Sequence, residues 1–171
     1  MTAPLTVRAL TAADAPAYRA VRLASLENDP AAFITTAAEF AARSLPDVTA
    51  QLAPTELAVT FGAFAEADLV GLLTVACESR PTLAHRANVF GVSVLPAARG
   101  RGAGAALLDA GLAQIRIWSG VTVVLLGVTE TQHAARRLYE RHGFTVWGTQ
   151  PEAVQGAGGV VLAEHHMLLR V

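Results

Sequence analysis

Three glycines at alternate positions, Gly100, Gly102 and Gly104, follow a proline that closes an apolar run, and two arginines, Arg99 and Arg101, are interleaved with them. That spacing suits phosphate chemistry. A helix that opens just after a strand presents backbone N–H groups with no intrahelical acceptor, and the positive end of its dipole lies behind them. Glycine removes each Cβ from the approach, so a pyrophosphate reaches hydrogen-bonding distance of the main chain. A tight turn without a ligand is the plainer alternative. A second alternative is a dinucleotide site, because residues 100–105 fit the spacing G-x-G-x-x-A, with Glu130 as a ribose contact. Against it, more than half of the chain precedes the turn and only one strand-helix unit follows.

The remaining residue types exclude several chemistries. All 13 cationic side chains are arginines, so Schiff-base lysine chemistry and the P-loop lysine are absent. Cys77 is the single cysteine and sits in an apolar stretch, which excludes an internal disulfide and suggests a buried structural thiol. The net charge of −1 without a basic tract argues against a nucleic-acid partner. Of the histidines, His133 and His142 fall on a surface helix, and the neighbours His165 and His166 on a strand must face opposite sides, so no metal site is expected. Residues Met1 to Arg8 lack the charged start and apolar run of a signal peptide, and no stretch approaches the ~18 apolar residues of a membrane span. The expectation is a soluble, cytoplasmic protein with no membrane partner.

These residues need elements to position them. A strand at residues 5–10 leads to an amphipathic helix that opens at Thr11 or Asp14 and ends near Asn28-Asp29-Pro30. One further helical piece is expected after Thr36, stopping before Pro46 or Pro54. Residues 57–64 and 69–75 read as a hairpin across Glu66-Ala67-Asp68, and residues 88–94 as a strand closed by Pro96. After the glycine turn, Leu107, Leu108, Gly111, Leu112 and Ile115 form an apolar helical stripe that Gly120 ends. Residues 121–128 are apolar enough for a strand buried on both faces. A helix from about Thr131 to His142 turns Ala135, Leu138 and Tyr139 inward, and a terminal hairpin closes around residues 156–159. At 171 residues and 53% hydrophobic composition, residues 1–171 read as one domain of the α+β (α/β) class.

In that context, Val92-Ser93-Val94-Leu95-Pro96-Ala97-Ala98-Arg99-Gly100-Arg101-Gly102-Ala103-Gly104 resembles the acetyl-CoA motif of the GCN5-related N-acetyltransferase (GNAT) family: Arg or Gln, two residues, Gly, one residue, then Gly or Ala. A second stretch, residues 126–144, is similar to the family's next motif, with Leu138-Tyr139 closing a helix and Gly143-Phe144 beginning a strand. The two cover roughly the central third of the chain, and Glu164-His165-His166-Met167 resembles the last strand of many members.

The resemblance implies a single-domain GNAT-like fold, a mixed and mostly antiparallel sheet splayed at the acetyl-CoA site and flanked by helices. It implies an acetyl-CoA-dependent N-acetyltransferase that needs no metal and transfers to a small-molecule or peptide amine by direct attack. Backbone amides from Arg99, Gly100, Arg101, Gly102, Ala103, Gly104 and Ala105 would hold the pyrophosphate. The strand Val92, Ser93, Val94 would pair with the pantetheine arm through its backbone. Tyr139 would protonate the departing thiolate, a suitable task for a phenol with an ordinary pKa near ~10. One of the outward arginines at 136, 137 and 141 could approach the adenosine 3′-phosphate.

Two positions depart from the family pattern. Gln132 stands where Asn is usual, contacting either cofactor or acceptor; it also has capping-box spacing with Thr129. Asn88 stands where many members place a glutamate base, leaving Glu78, His85 and Glu130 as candidates. A CoA-binding module without transferase activity is therefore the alternative, with a nicotinamide oxidoreductase behind it. The acceptor site is expected around residues 28–39 and the terminal hairpin near residues 150–159. A homodimer is compatible with this reading.

Overall fold

The computed structural model describes residues 4–171; Met1 to Ala3, the start of the segment read for a leader, lie outside them. The chain runs β1 (Leu5–Ala9), α1 (Ala15–Asn28), α2 (Ala37–Ala41), α3 (Leu45–Leu52), β2 (Ala58–Ala65), β3 (Asp68–Cys77), β4 (Arg86–Val94), α4 (Ala103–Ile117), β5 (Val123–Thr129), α5 (His133–Arg141), β6 (Thr145–Gln155) and β7 (Val161–Arg170). The strands form one seven-stranded sheet in the order β1-β2-β3-β4-β5-β7-β6. Every neighbouring pair is antiparallel except β4 and β5. One parallel pair is not the alternating βαβ series of a dinucleotide fold, so the nicotinamide reading fails on topology.

Two apolar clusters hold the layers together, one on each face of the sheet. On one face Leu107, Leu108, Leu112 and Ile115 of α4 pack against Leu73, Val75, Val89 and Val124. On the other, Tyr18, Val21 and Leu26 of α1, Phe40 of α2 and Val48 and Leu52 of α3 meet Leu10, Phe64, Leu69 and Leu72. Each such side chain contributes about 1.5–3 kcal/mol on leaving water. Gly111 lets α4 lie close on β3: a Cβ there would sit 2.7 Å from Leu73 Cδ2 and 3.0 Å from Val75 Cγ1.

Three readings of the sequence need correction. The helical piece after Thr36 is two helices, and Pro46 opens the second rather than ending the first. Ser44 caps α3 by accepting from the Asp47 N–H, and a proline in the first turn costs nothing because its missing donor would have had no acceptor. Strand β5 is fully buried on one face, at Val124, Leu126 and Val128, but only in part on the other, where Thr129 is buried, Val123 and Leu125 are half-buried and Gly127 is exposed. Cys77 is half-buried rather than interior, and partial burial pushes its thiol pKa up.

Candidate active site

Strands β4 and β5 pair only from Arg86↔Val123 to Asn88↔Leu125, and then part. Shortly after the last pair, β4 carries an extra residue: Thr74 faces Phe90 but Leu72 already faces Ser93. Within this bulge Gly91 has φ +63°, a conformation that side chains with a Cβ rarely adopt. Beyond the bulge the β5-facing edge of β4 therefore lacks a sheet partner, the splayed geometry that the motif residues 92–94 imply.

Past Val94 the chain makes a short turn at Pro96–Ala98 and enters α4 through Gly100 (φ +73°) and Gly102 (φ +84°). The first intrahelical bond is Ala106 N–H to the Gly102 carbonyl at 3.0 Å, so the N–H groups of Ala103, Gly104 and Ala105 precede the ladder. A groove of about 450 Å³ runs along this end, lined by residues 92–94, Arg99, Gly100, residues 102–105, Gln132 and Arg141. The three glycines do different work. Gly100 and Gly102 are required by backbone conformation, whereas Gly104 admits Leu138 of α5, whose Cδ2 would lie 3.2 Å from an added Cβ.

The two motif arginines are not both free charges in the groove. Arg99 Nε donates to the Val94 carbonyl at 2.9 Å and its guanidinium pairs with Asp29, so much of its charge is spent tying the turn to the end of α1. Arg101 is not among the groove's lining residues. Arg141, read as one of three outward arginines, is the one that reaches the groove; Arg136 pairs instead with Glu140 at 2.8 Å.

A second cleft of about 660 Å³, lined by residues of both β4 and β5, meets the groove at Ala32, Phe33, Val92, Gln132 and Ala135. Tyr139 lines this cleft, 5% exposed and edge-on to Phe144 with ring centroids 6.0 Å apart; burial pushes its hydroxyl above the ordinary phenol range. Gln132 sits at the start of α5 and makes no capping hydrogen bond, while Thr129 Oγ1 donates to the Ala31 carbonyl at 2.8 Å. The capping box is therefore not formed, and Gln132 faces both cavities.

Of the carboxylates and imidazole named for proton abstraction, Glu78 alone lines the cleft, accepting from Asn88 Nδ2 at 2.9 Å. Glu130 instead accepts from the Ala163 N–H at 2.8 Å, closing the top of the β5–β7 ladder. His85 is exposed and serves through its carbonyl, which accepts from Thr122 and Val123. Segment 32–35 lines the cleft as anticipated for residues 28–39, but no residue from 150–159 does.

The residues that sequence reasoning did not single out are Arg22, Glu164 and Trp147. Glu164 and His166 lie two apart on β7, and Glu164 Oε1 would be 2.5 Å from a Cβ on Gly127, so that glycine makes room for the carboxylate. Trp147 stacks on His166 with centroids 5.6 Å apart. The i, i+2 alternation of Glu164 and His166 was visible; that Gly127 faces them was not. Among the described residues, no group of three or more His, Cys, Asp or Glu side chains could hold a metal ion.

The model of the acetyltransferase (GNAT) family matches residues 27–144, which include the groove's glycine turn, the β4–β5 gap and all of α5. The chain belongs to this family. The GNAT fold extends beyond the matched segment. An acetyltransferase of the GNAT family from Streptococcus pneumoniae superposes with a TM-score of 0.88 at 20% identity, covering 98% of this chain and 100% of that one. The Salmonella typhimurium protein yncA, solved with its cofactor acetyl-CoA, gives a TM-score of 0.81 at 22% identity over 98% of this chain and 94% of that one. In sequence, this GNAT chain is 42% identical over 79 residues to mycothiol acetyltransferase from Salinispora tropica, a match of 46% of this chain and 26% of that protein. The matched segment thus spans about a quarter of that relative's length.

Proposed function

We propose that residues 1–171 form one N-acetyltransferase domain that transfers acetyl from acetyl-CoA to a primary amine. The observation that carries this is the junction at Gln132, where a groove rimmed by the amides that open α4 meets a cleft containing a buried phenol. Family membership supports it, as does the acetyl-CoA in the yncA structure.

In this reading the pyrophosphate is held by backbone N–H groups of residues 99–105, with the α4 dipole adding to the attraction. Arg141 is placed for the 3′-phosphate. The open edge of β4 at residues 92–94 pairs with the pantetheine amides and aims the thioester at the gap. The amine enters from the cleft, where two carboxylates, Glu78 and Glu164, are available to receive its proton. Attack on the thioester carbonyl forms the C–N bond. The C–S bond then breaks, and Tyr139 protonates the departing thiolate, remaining a full donor because burial keeps it neutral.

The test is release of free thiol from acetyl-CoA with a broad amine panel, beside equilibrium binding of CoA. Binding with amine-dependent release is expected. A folded protein that binds CoA but is inert across the panel would instead be a binding module, the reading that Asn88 and Gln132 had raised.

A further inference from the structure

The cleft carries an unusual pair of cations. Arg22, on α1, has no hydrogen bond or ion pair among the described residues; its one contact of note is with the Phe33 ring, 4.4 Å from guanidinium carbon to centroid. Burial lowers its pKa, opposed only by the smaller attraction of the Tyr18 hydroxyl. Arg86, at the start of β4, also has a side-chain Nε that is buried without a partner. Across the strands stands Glu78, whose N–H donates to the Arg86 carbonyl, but its carboxylate accepts from Asn88 Nδ2. Of the three buried side-chain polar atoms without partners among the described residues, two belong to these cleft arginines. Guanidinium donors that are taken from water and left unanswered are costly, and a ligand anion would answer them.

Their placement is also directional. Arg22 reaches the β4 side of the gap, its NH1 3.8 Å from where a Cβ on Gly91 would lie. Glu164 lies across Gly127 on the β5 side. The two lips of the opening therefore carry opposite charges, and Arg86, at the start of β4, lines the same cleft. A purely cationic amine would meet Arg22 unfavourably; a dipolar one matches both lips.

We propose that the acceptor is a small amine that bears an anionic group, carboxylate or phosphonate, close to its amino nitrogen, with Arg22 receiving the anion and Glu164 facing the amine. Arg86, which lines the same cleft, extends the anion site along β4. The proposal rests on the transferase reading, and the experiment separates the two.

Turnover is measured with a panel of α-amino acids, their aminophosphonate counterparts, the amines that differ from them only by lacking the anion, and peptides with free N-termini. At least one acid is expected to exceed its matched amine in kcat/KM. Arg22→Gln should raise KM for that acid by about tenfold or more, with kcat changed much less, while Arg22→Lys recovers part of the loss. Arg86→Gln provides a second reading if Arg22→Gln does not fold. The carboxylate and phosphonate arms show which anion is preferred. CoA affinity is followed in every variant and should not change. Transfer to neutral amines or peptides alone, or an acid preference that survives both arginine variants, overturns the proposal, whereas CoA binding without transfer to any panel member overturns the transferase reading on which it rests. Failure of the wild type to bind CoA would instead overturn the transferase reading itself.

Discussion

Gly102 has φ +84° and open space where its Cβ would be, so the requirement for glycine comes from the backbone and not from crowding. A β-branched residue is strained in this region by about 1–2 kcal/mol. Gly102→Val is expected to distort the entry to α4 and weaken CoA binding by about tenfold or more, measurable by titration calorimetry; unchanged affinity in a folded variant would remove the turn from the binding site. Tyr139 gives a separable prediction. Burial moves its pKa upward, away from neutrality, so the phenol stays protonated between about pH 6 and 9. Tyr139→Phe should therefore lower kcat by about 10²-fold across that window without altering the shape of the pH profile or the CoA affinity. A variant with near-wild-type kcat would reassign the donor.

At the scale of elements, α1 begins where Asp14 accepts from the Thr11 N–H at 2.8 Å and pairs with Arg8 at 2.8 Å, tying the helix start to β1. The Arg8 hydrogen bond, against a smaller opposing effect of burial, lowers the Asp14 pKa to about 2. An acid depressed on folding stabilises above its unfolded pKa, near ~3.9, and that stability is lost as pH falls toward 2. Asp14→Asn should cost about 1 kcal/mol at neutral pH and flatten the loss of stability between pH 4 and 2, read from denaturant midpoints. Between α4 and β3, Gly111→Leu should destabilise by about 1–3 kcal/mol, since the added atoms have only Leu73 and Val75 to displace. Helix periods and the hairpin were legible because each is a local pattern. Pro46 was read as a stop because proline punctuates helices at both ends, and only the Ser44 cap shows which end this is. The spacing from Thr129 to Gln132 suited a capping box, but the Ala31 carbonyl, supplied from far away in sequence, takes the Thr129 hydroxyl.

The whole molecule is a sheet with an apolar cluster on each face, split where β4 and β5 part. A ligand that spans that split and bridges α4 to α5 stabilises the folded state alone. At a hundredfold excess over Kd the gain is about 2.7 kcal/mol, which for a chain of this size corresponds to a rise in Tm of about 5–10 °C. Saturating CoA should produce such a shift in a thermal melt, and NAD should not. Equal shifts with both would show that the glycine turn does not discriminate CoA from a dinucleotide.

The amino-acid sequence determined those features that depend on neighbours along the chain: the strand-turn-helix around Gly100, Gly102 and Gly104, the helix that carries Tyr139, and through them the family. Tertiary structure alone decided which distant residues share a cavity. It removed Glu130 and His85 from the cleft, tied Arg99 to Asp29, and brought in Arg22, Glu164 and Trp147. The reason is physical. A turn or helix is specified by backbone conformation and spacing over a few residues. The charges that face a ligand are set by strand register and by a gap between two strands 37 residues apart at Arg86 and Val123, and no local pattern encodes that pairing.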